Sequence, residues 1–224
     1  MVTVTHTTDT QLVRALGAAN PSTRLQAALA VGTRADPGLA GALVARCATE
    51  PDFFVRDMLT WALTRLPADV TVPRLVAELA SGSAQARSQA LHTLSKIGDR
   101  TAWPSIARAL LHDPDDEVAR SAWRAAVVLA PAGEHGGLAA DLAGQLGRGD
   151  RTVQLSLSRA LVALGDVAGP ALQPGLVSPD PAVRAHARAT QRLLHDPDAG
   201  FDLAVDEAKR IVALGPERAG STAC

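Results

Sequence analysis

Tyrosine is missing from this 224-residue chain, and the remaining aromatics are scarce: three Phe and three Trp. Hydrophobic residues still make up 47% of the sequence, carried by Ala, Leu and Val. That palette suits helix packing, whereas strands favour aromatic and β-branched residues. Cysteine occurs only twice, as Cys47 inside an apolar pattern and as Cys224, which excludes a disulfide framework and a zinc cluster. Charge of one sign is also lacking. The net charge is −1, so the molecule has no long-range field to draw nucleic acid or an anionic membrane. Lysine is nearly absent, Lys96 and Lys209 being two of 22 basic residues. The longest uncharged stretch, Val167 to Pro179, is too short and too broken by Pro and Gly to span a bilayer. Met1 to Thr10 is Thr-rich and has no basic segment followed by an apolar core, so it does not read as a signal peptide. A reducing cytoplasm is the expected compartment, with no membrane partner.

Catalytic patterns are equally sparse. There is no HExxH, no GxSxG and no Gly-rich phosphate loop. The six histidines (His6, His92, His112, His135, His186, His195) are scattered, and none pairs at helical spacing with a third ligand nearby. Each reads as a surface or capping residue. No catalytic residue, metal or cofactor is expected from these patterns, and the chain reads as a protein that is not an enzyme.

What the sequence does contain is a repeat. Asn20, Asp52, Ser83, Asp115, Asp150 and Asp180 recur at intervals of 32, 31, 32, 35 and 30 residues. All six are residue types whose side-chain oxygen accepts an N–H of a helix's first turn, worth about 1 kcal/mol each. Pro21 and Pro181 follow two of them, where a missing N–H costs nothing. Three residues past each cap lies a small or β-branched residue: Thr23, Val55, Ala86, Val118, Val153, Val183. Apolar residues then recur at helical spacing, one buried stripe per repeat. Arg follows the first stripe residue in four repeats, as Arg24, Arg56, Arg87 and Arg184; Ala119 and Gln154 stand there in the other two. A first helix precedes each of these, marked by Leu12–Leu16, Leu39–Leu43, Leu75–Leu79, Ile106–Leu110, Leu138–Leu142 and Leu172–Leu176, with Pro73, Pro104 and Pro170 near the starts of three. Solenoids need capped ends. Phe201, Val205, Ala208 and Val212 would share the buried face of such a cap, with docking to another subunit as the alternative use of that face.

The stretches 94–113 (LSKIGDRTAWPSIARALLHD), 113–131 (DPDDEVARSAWRAAVVLAP) and 178–197 (SPDPAVRAHARATQRLLHDP) resemble HEAT repeats, especially the bacterial HEAT-like group that includes bilin-lyase relatives. The resemblance covers about residues 10 to 195. It implies an all-α fold, a right-handed α-solenoid of about six helix pairs with a C-terminal capping helix. The expected organisation is a flexible N-terminus over 1–8, repeats over 9–195, the cap over 196–214 and a disordered tail over 215–224. The resemblance also implies that Arg24, Arg56, Arg87 and Arg184 are structural, each pairing with an acidic residue of a neighbouring turn. The His-Glu dipeptides repeated in the family's di-iron hydroxylases are absent; Glu134-His135 is reversed and single. Pro51 to Leu63 is similar to a segment of the HEAT-like alkylpurine DNA glycosylases, which would make Trp61 a DNA-facing aromatic. Against that stand the few aromatics and the absence of a basic balance.

Helix periodicity points Trp61, His92, Trp123, Arg124, Arg159 and Arg188 away from each stripe, where they could line one ridge on a concave face. Trp and Arg are the types most enriched at binding hot spots. The alternative is that Trp123 folds back between repeats and the arginines only solvate a helix face. A ridge of this kind suits a protein or peptide of acidic character, or a small anionic aromatic ligand; nucleic acid is disfavoured by the net charge. The leading functional expectation is a non-catalytic binding or scaffold protein. A ligand-sensing module acting with a transcription regulator is the alternative, and a glycosylase or bilin-lyase relative ranks third.

Overall fold

The computed structural model describes residues 3–196 together with Val205, Asp206 and Lys209, with side chains from Asp9 onward. The expected tail and most of the expected capping helix lie outside the described residues. Among the described residues every regular element is helical. The fold is all-α, with first and second helices alternating along the chain.

The second helices are α2 (Pro21–Arg34), α4 (Phe53–Thr64), α6 (Ala84–Ile97), α8 (Asp116–Leu129), α10 (Arg151–Ala163) and α12 (Pro181–His195). Five begin at a side-chain cap. Asn20, Asp52, Ser83, Asp150 and Asp180 accept the N–H of Ser22, Val55, Ala86, Thr152 with Val153, and Ala182. The sixth, α8, begins directly after Asp115. The first helices are α1 (Thr3–Leu16), α3 (Ala40–Cys47), α5 (Ala68–Glu78), α7 (Arg108–Leu111), α9 (His135–Ala143) and α11 (Ala168–Leu176). The fourth departs from expectation. Pro104 lies within a 3-10 turn over Arg100–Ser105, and α7 is only one turn long. Proline removes an N–H donor and favours tight turns over a continuing α-helix.

The chain divides into two compact units. The first comprises Met1–Leu110 and Glu117–Leu129; the second comprises Leu111–Asp116 and Ala130–Cys224. In the first unit α2 packs on α4, α4 on α6, and α3 on α5, so like helices stack on like. Its core holds Leu43, Leu59, Leu63, Leu91, Leu94 and Trp123, all fully buried. In the second, α9 packs on α11 and α10 on α12 around Leu142, Leu157, Leu161 and Leu172. Val205 of the C-terminal segment is buried against Ala189 and Leu193, and Asp206 accepts a hydrogen bond from Arg151. No single described helix is long and apolar enough to cross a membrane.

The four repeat arginines share a carbonyl clamp. Each sends Nη1 back to a loop carbonyl six residues earlier: Arg24 to Ala18, Arg56 to Glu50, Arg87 to Ser81 and Arg184 to Ser178. Those carbonyls lie past the end of the preceding helix, where intrahelical donors run out. Arg24 also makes the expected ion pair, gripping Glu50 with Nε and Nη2 at 2.7 and 2.6 Å. Arg56 and Arg184 have no acidic partner among the described residues, so their clamp replaces the expected pairing. Gln154 performs the clamp in the fifth repeat, donating Nε2 to the Gly149 carbonyl at 3.2 Å. In the fourth repeat Ala119 cannot, and the carbonyl six residues before it, that of Asp113, is held by Arg148, which also bonds the Asp116 carboxylate at 2.8 Å.

Glu50 is the buried hub of the first unit. Its carboxylate takes both Arg24 bonds, one from Arg46 Nε at 2.7 Å and one from the Asp52 N–H at 2.9 Å. Burial pushes its pKa up, but these hydrogen bonds outweigh it and hold the carboxyl at about 2. Gln85 Nε2 of α6 reaches back to the carbonyls of Cys47 and Glu50, tying one repeat to the next.

Candidate functional site

A groove of about 280 Å³ opens on the first unit along three second helices. Residues spaced three and four apart share a helix face, and each helix contributes such a set. From α4 come Phe53, Arg56, Asp57 and Thr60. From α6 come Ser88, Gln89 and His92, and from α8 Glu117, Ser121 and Arg124. The Thr60 hydroxyl meets that of Thr93 at 3.4 Å beneath the groove.

Two aromatics follow the Asp52 cap, Phe53 lining the groove and Phe54 packed against Phe53. Phe53 and Phe54 are 66% and 71% exposed. Their rings meet edge-on with centroids 5.6 Å apart, and the Arg56 guanidinium lies 6.0 Å from the Phe53 centroid. Isolated exposed apolar residues are common, but an adjacent aromatic pair beside a groove is a recognised mark of a contact surface.

Across the groove, Arg124 Nη1 donates to His92 Nδ1 at 3.1 Å. A ring nitrogen that accepts carries no proton, so His92 is neutral here with its hydrogen on Nε2. Burial lowers its pKa, and the charges of Arg124 and Lys96 lower it further against the opposing pull of Asp57. Arg124 is itself less basic than usual, from burial and then from Arg120, with Glu117 opposing. Glu117 is engaged by Arg120 at 2.5 Å. The Asp57 carboxylate, the Gln89 amide and the Ser121 hydroxyl have no hydrogen-bonding partner among the described residues. The groove therefore offers fixed donors, free acceptors and an aromatic rim.

Only part of the expected ridge is assembled here. His92 and Arg124 meet in the groove as described. Trp61 is 37% exposed, but its ring lies against α2 at Gly32, where an added Cβ would come within 2.4 Å of ring atom Cζ3. That contact involves the Cζ3–Cε3 edge of the ring, and the rest of the side chain stays accessible. Trp123 corrects the ridge outright: it is fully buried. Helix α8 hides Val118, Ala119, Ala122, Ala125, Ala126 and Leu129 as well, so it is enclosed on most sides and its small residues leave room for the indole. Arg159 is exposed on α10 and Arg188 half-buried on α12, both in the second unit. Phe53, Phe54, Asp57 and Gln89 were not singled out by helix periodicity. The adjacent Phe pair directly after a cap was the available signal, because the first turn of a helix is seldom covered by its own repeat.

The second unit holds a buried polar cluster that the sequence did not reveal. His186 is 1% exposed, against the expectation of a surface or capping role. Its Nδ1 accepts the N–H of Gly147 at 3.0 Å, and Nε2 lies 3.0 Å from both Ser158 Oγ and the Gln154 carbonyl. Ser158 Oγ and Thr190 Oγ1 are 2.7 Å apart, and Thr190 donates on to the His186 carbonyl. Because Nδ1 accepts, Nε2 carries the proton, so His186 cannot take one from Ser158. The cluster joins α10, α12 and the Gly147 loop and does not form a nucleophile–base pair. Burial pulls the His186 pKa down to about 4. No described group of three His, Cys, Asp or Glu is placed to hold a metal ion.

No family model matches this chain, and no curated protein matches it. Among solved structures it is similar to the complex of CpcE and CpcF of phycocyanin lyase from a Nostoc species, at 19% identity and a TM-score of 0.47, covering 92% of this chain and 85% of that one. It is also similar to human deoxyhypusine hydroxylase in complex with glycerol, at 17% identity and a TM-score of 0.46, covering 94% and 96%. The expectation that the chain is not an enzyme does not stand beside them, since one neighbour is named a lyase and the other a hydroxylase. At these identities the likeness concerns the fold and assigns no reaction to this chain.

Proposed function

We propose that this chain is a binding module whose groove on α4, α6 and α8 receives an extended segment of a protein or peptide. The observation that carries the reading is the exposed Phe53–Phe54 pair adjoining partnerless polar groups at Asp57, Gln89 and Ser121. An aromatic rim supplies apolar contact area, and amide and hydroxyl side chains satisfy the backbone of an extended segment. A reducing cytoplasm suits the buried free thiol Cys47, whose pKa burial raises to about 12.

The test is selection of peptides from a displayed random library on the wild-type protein, followed by counter-screening on Gln89→Trp. Gln89 is half-exposed and its side chain holds nothing in place, so the indole fills the groove without cost to the fold. The reading expects wild-type binders to be lost on the variant. Binders that ignore the substitution would show that the groove is not the receptor.

A further inference from the structure

The Arg124 guanidinium is held on one side and open on the other. Nη1 is fixed by His92, while Nε and Nη2 have no partner among the described residues. Those two N–H groups form the edge that pairs with a carboxylate in two parallel hydrogen bonds. The nearest acid on its own helix, Glu117, is already bonded to Arg120. Asp57 and Glu117 line the groove with Arg56 and Arg124, while Arg120 and Lys96 stand beside it, so cations outnumber carboxylates around Arg124.

Resting on the groove reading above, we infer that Arg124 anchors a carboxylate side chain, Asp or Glu, of the bound segment, with a neighbouring aromatic or aliphatic side chain of that segment against Phe53 and Phe54. Asp57 and Glu117 line the same groove and repel a second negative charge, so Asp or Glu is preferred over a phosphorylated side chain. His92 is a positioning residue: it accepts one N–H of Arg124 and so turns the free edge of the fork outward.

The probes are peptides with blocked ends that carry Phe and Glu separated by zero to three Gly, with Gln or phosphoserine replacing Glu in matched sets. Binding is read by fluorescence anisotropy on wild type, Arg124→Gln and Gln89→Trp. Arg124 is exposed, and an unchanged circular dichroism spectrum and urea midpoint verify that Arg124→Gln is folded. The expected result is a Glu peptide that binds wild type and weakens at least about ten-fold both on replacement of Glu by Gln and in Arg124→Gln, as for a lost charge-assisted bond. Equal binding of Glu and Gln peptides, tighter binding of phosphoserine, or an unaffected Arg124→Gln would overturn the carboxylate assignment. If Gln89→Trp still abolishes binding in those cases, the groove reading survives without it. If no probe binds, or none is affected by Gln89→Trp, the carboxylate assignment falls with the groove.

Discussion

Acid should loosen the second unit through a single residue, His186. Its neutral ring accepts the Gly147 N–H, and protonation would place a second donor against that N–H inside a closed core. The folded pKa of about 4 lies below the ordinary value of 6.5. A depressed histidine pKa means that the unfolded chain takes up the proton first. Stability is therefore complete above about pH 6.5 and is lost as the pH falls toward about 4. A shift of this size corresponds to roughly 3 kcal/mol in full, of which about 2 kcal/mol should be gone at pH 5. Urea unfolding followed by circular dichroism at pH 7.5 and pH 5 measures the loss, and proton NMR of the ring follows the titration itself. His92 is also depressed and contributes with the same sign from the first unit, so the comparison is with His186→Gln. That variant should be less stable at pH 7.5 and show a shallower pH dependence. A His186 ring titrating near or above pH 6.5, or identical pH slopes in wild type and His186→Gln, would refute the reasoning.

Three further perturbations follow from the packing. Trp123→Ala should destabilise by about 3–5 kcal/mol, since it empties an enclosed site, and the loss is read as a lower urea midpoint. Gly32→Ala should lower the thermal midpoint although alanine is the better helix former by about 1 kcal/mol; its Cβ would sit 2.9 Å from the Ala62 Cα as well as against the Trp61 ring, and a gain in stability would contradict the close α2–α4 approach. Glu50→Ala should cost about 3–5 kcal/mol in chemical denaturation, because it leaves Arg24 buried without its acid; a cost under about 1 kcal/mol would mean that the ion pair is not the hub of its loop.

The repeat register was legible because its cause is local. A capping oxygen and the N–H it accepts lie two or three residues apart, so Asn20, Asp52, Ser83, Asp150 and Asp180 could be read one at a time. Partners further along the chain were not legible. Glu50 meets Arg24 across 26 residues, and His186 meets Ser158 across 28. Trp123 was misplaced for a related reason. A two-faced pattern assumes one buried stripe, whereas α8 is covered on several sides, and only its neighbours decide that. The fourth first helix was marked at Ile106–Leu110 with Pro104 near its start, yet the proline sits in a 3-10 turn and the helix shrinks to Arg108–Leu111. Of the expected ridge, spacing put His92 and Arg124 on neighbouring helix faces, and those two side chains meet in the groove. The aromatic rim was not, since Phe53 and Phe54 precede the stripe on which that spacing was counted.

The central claim is that ligands enter the groove of the first unit. Its most direct measurement is an NMR titration of the labelled protein with a selected peptide, following the side chains of Phe53, Phe54, Gln89, His92 and Arg124 alongside those of Arg159 and Arg188 in the second unit. Saturable shifts concentrated on the first set, and abolished in Gln89→Trp, are the predicted result. Shifts confined to Arg159, Arg188 and their surroundings would contradict it.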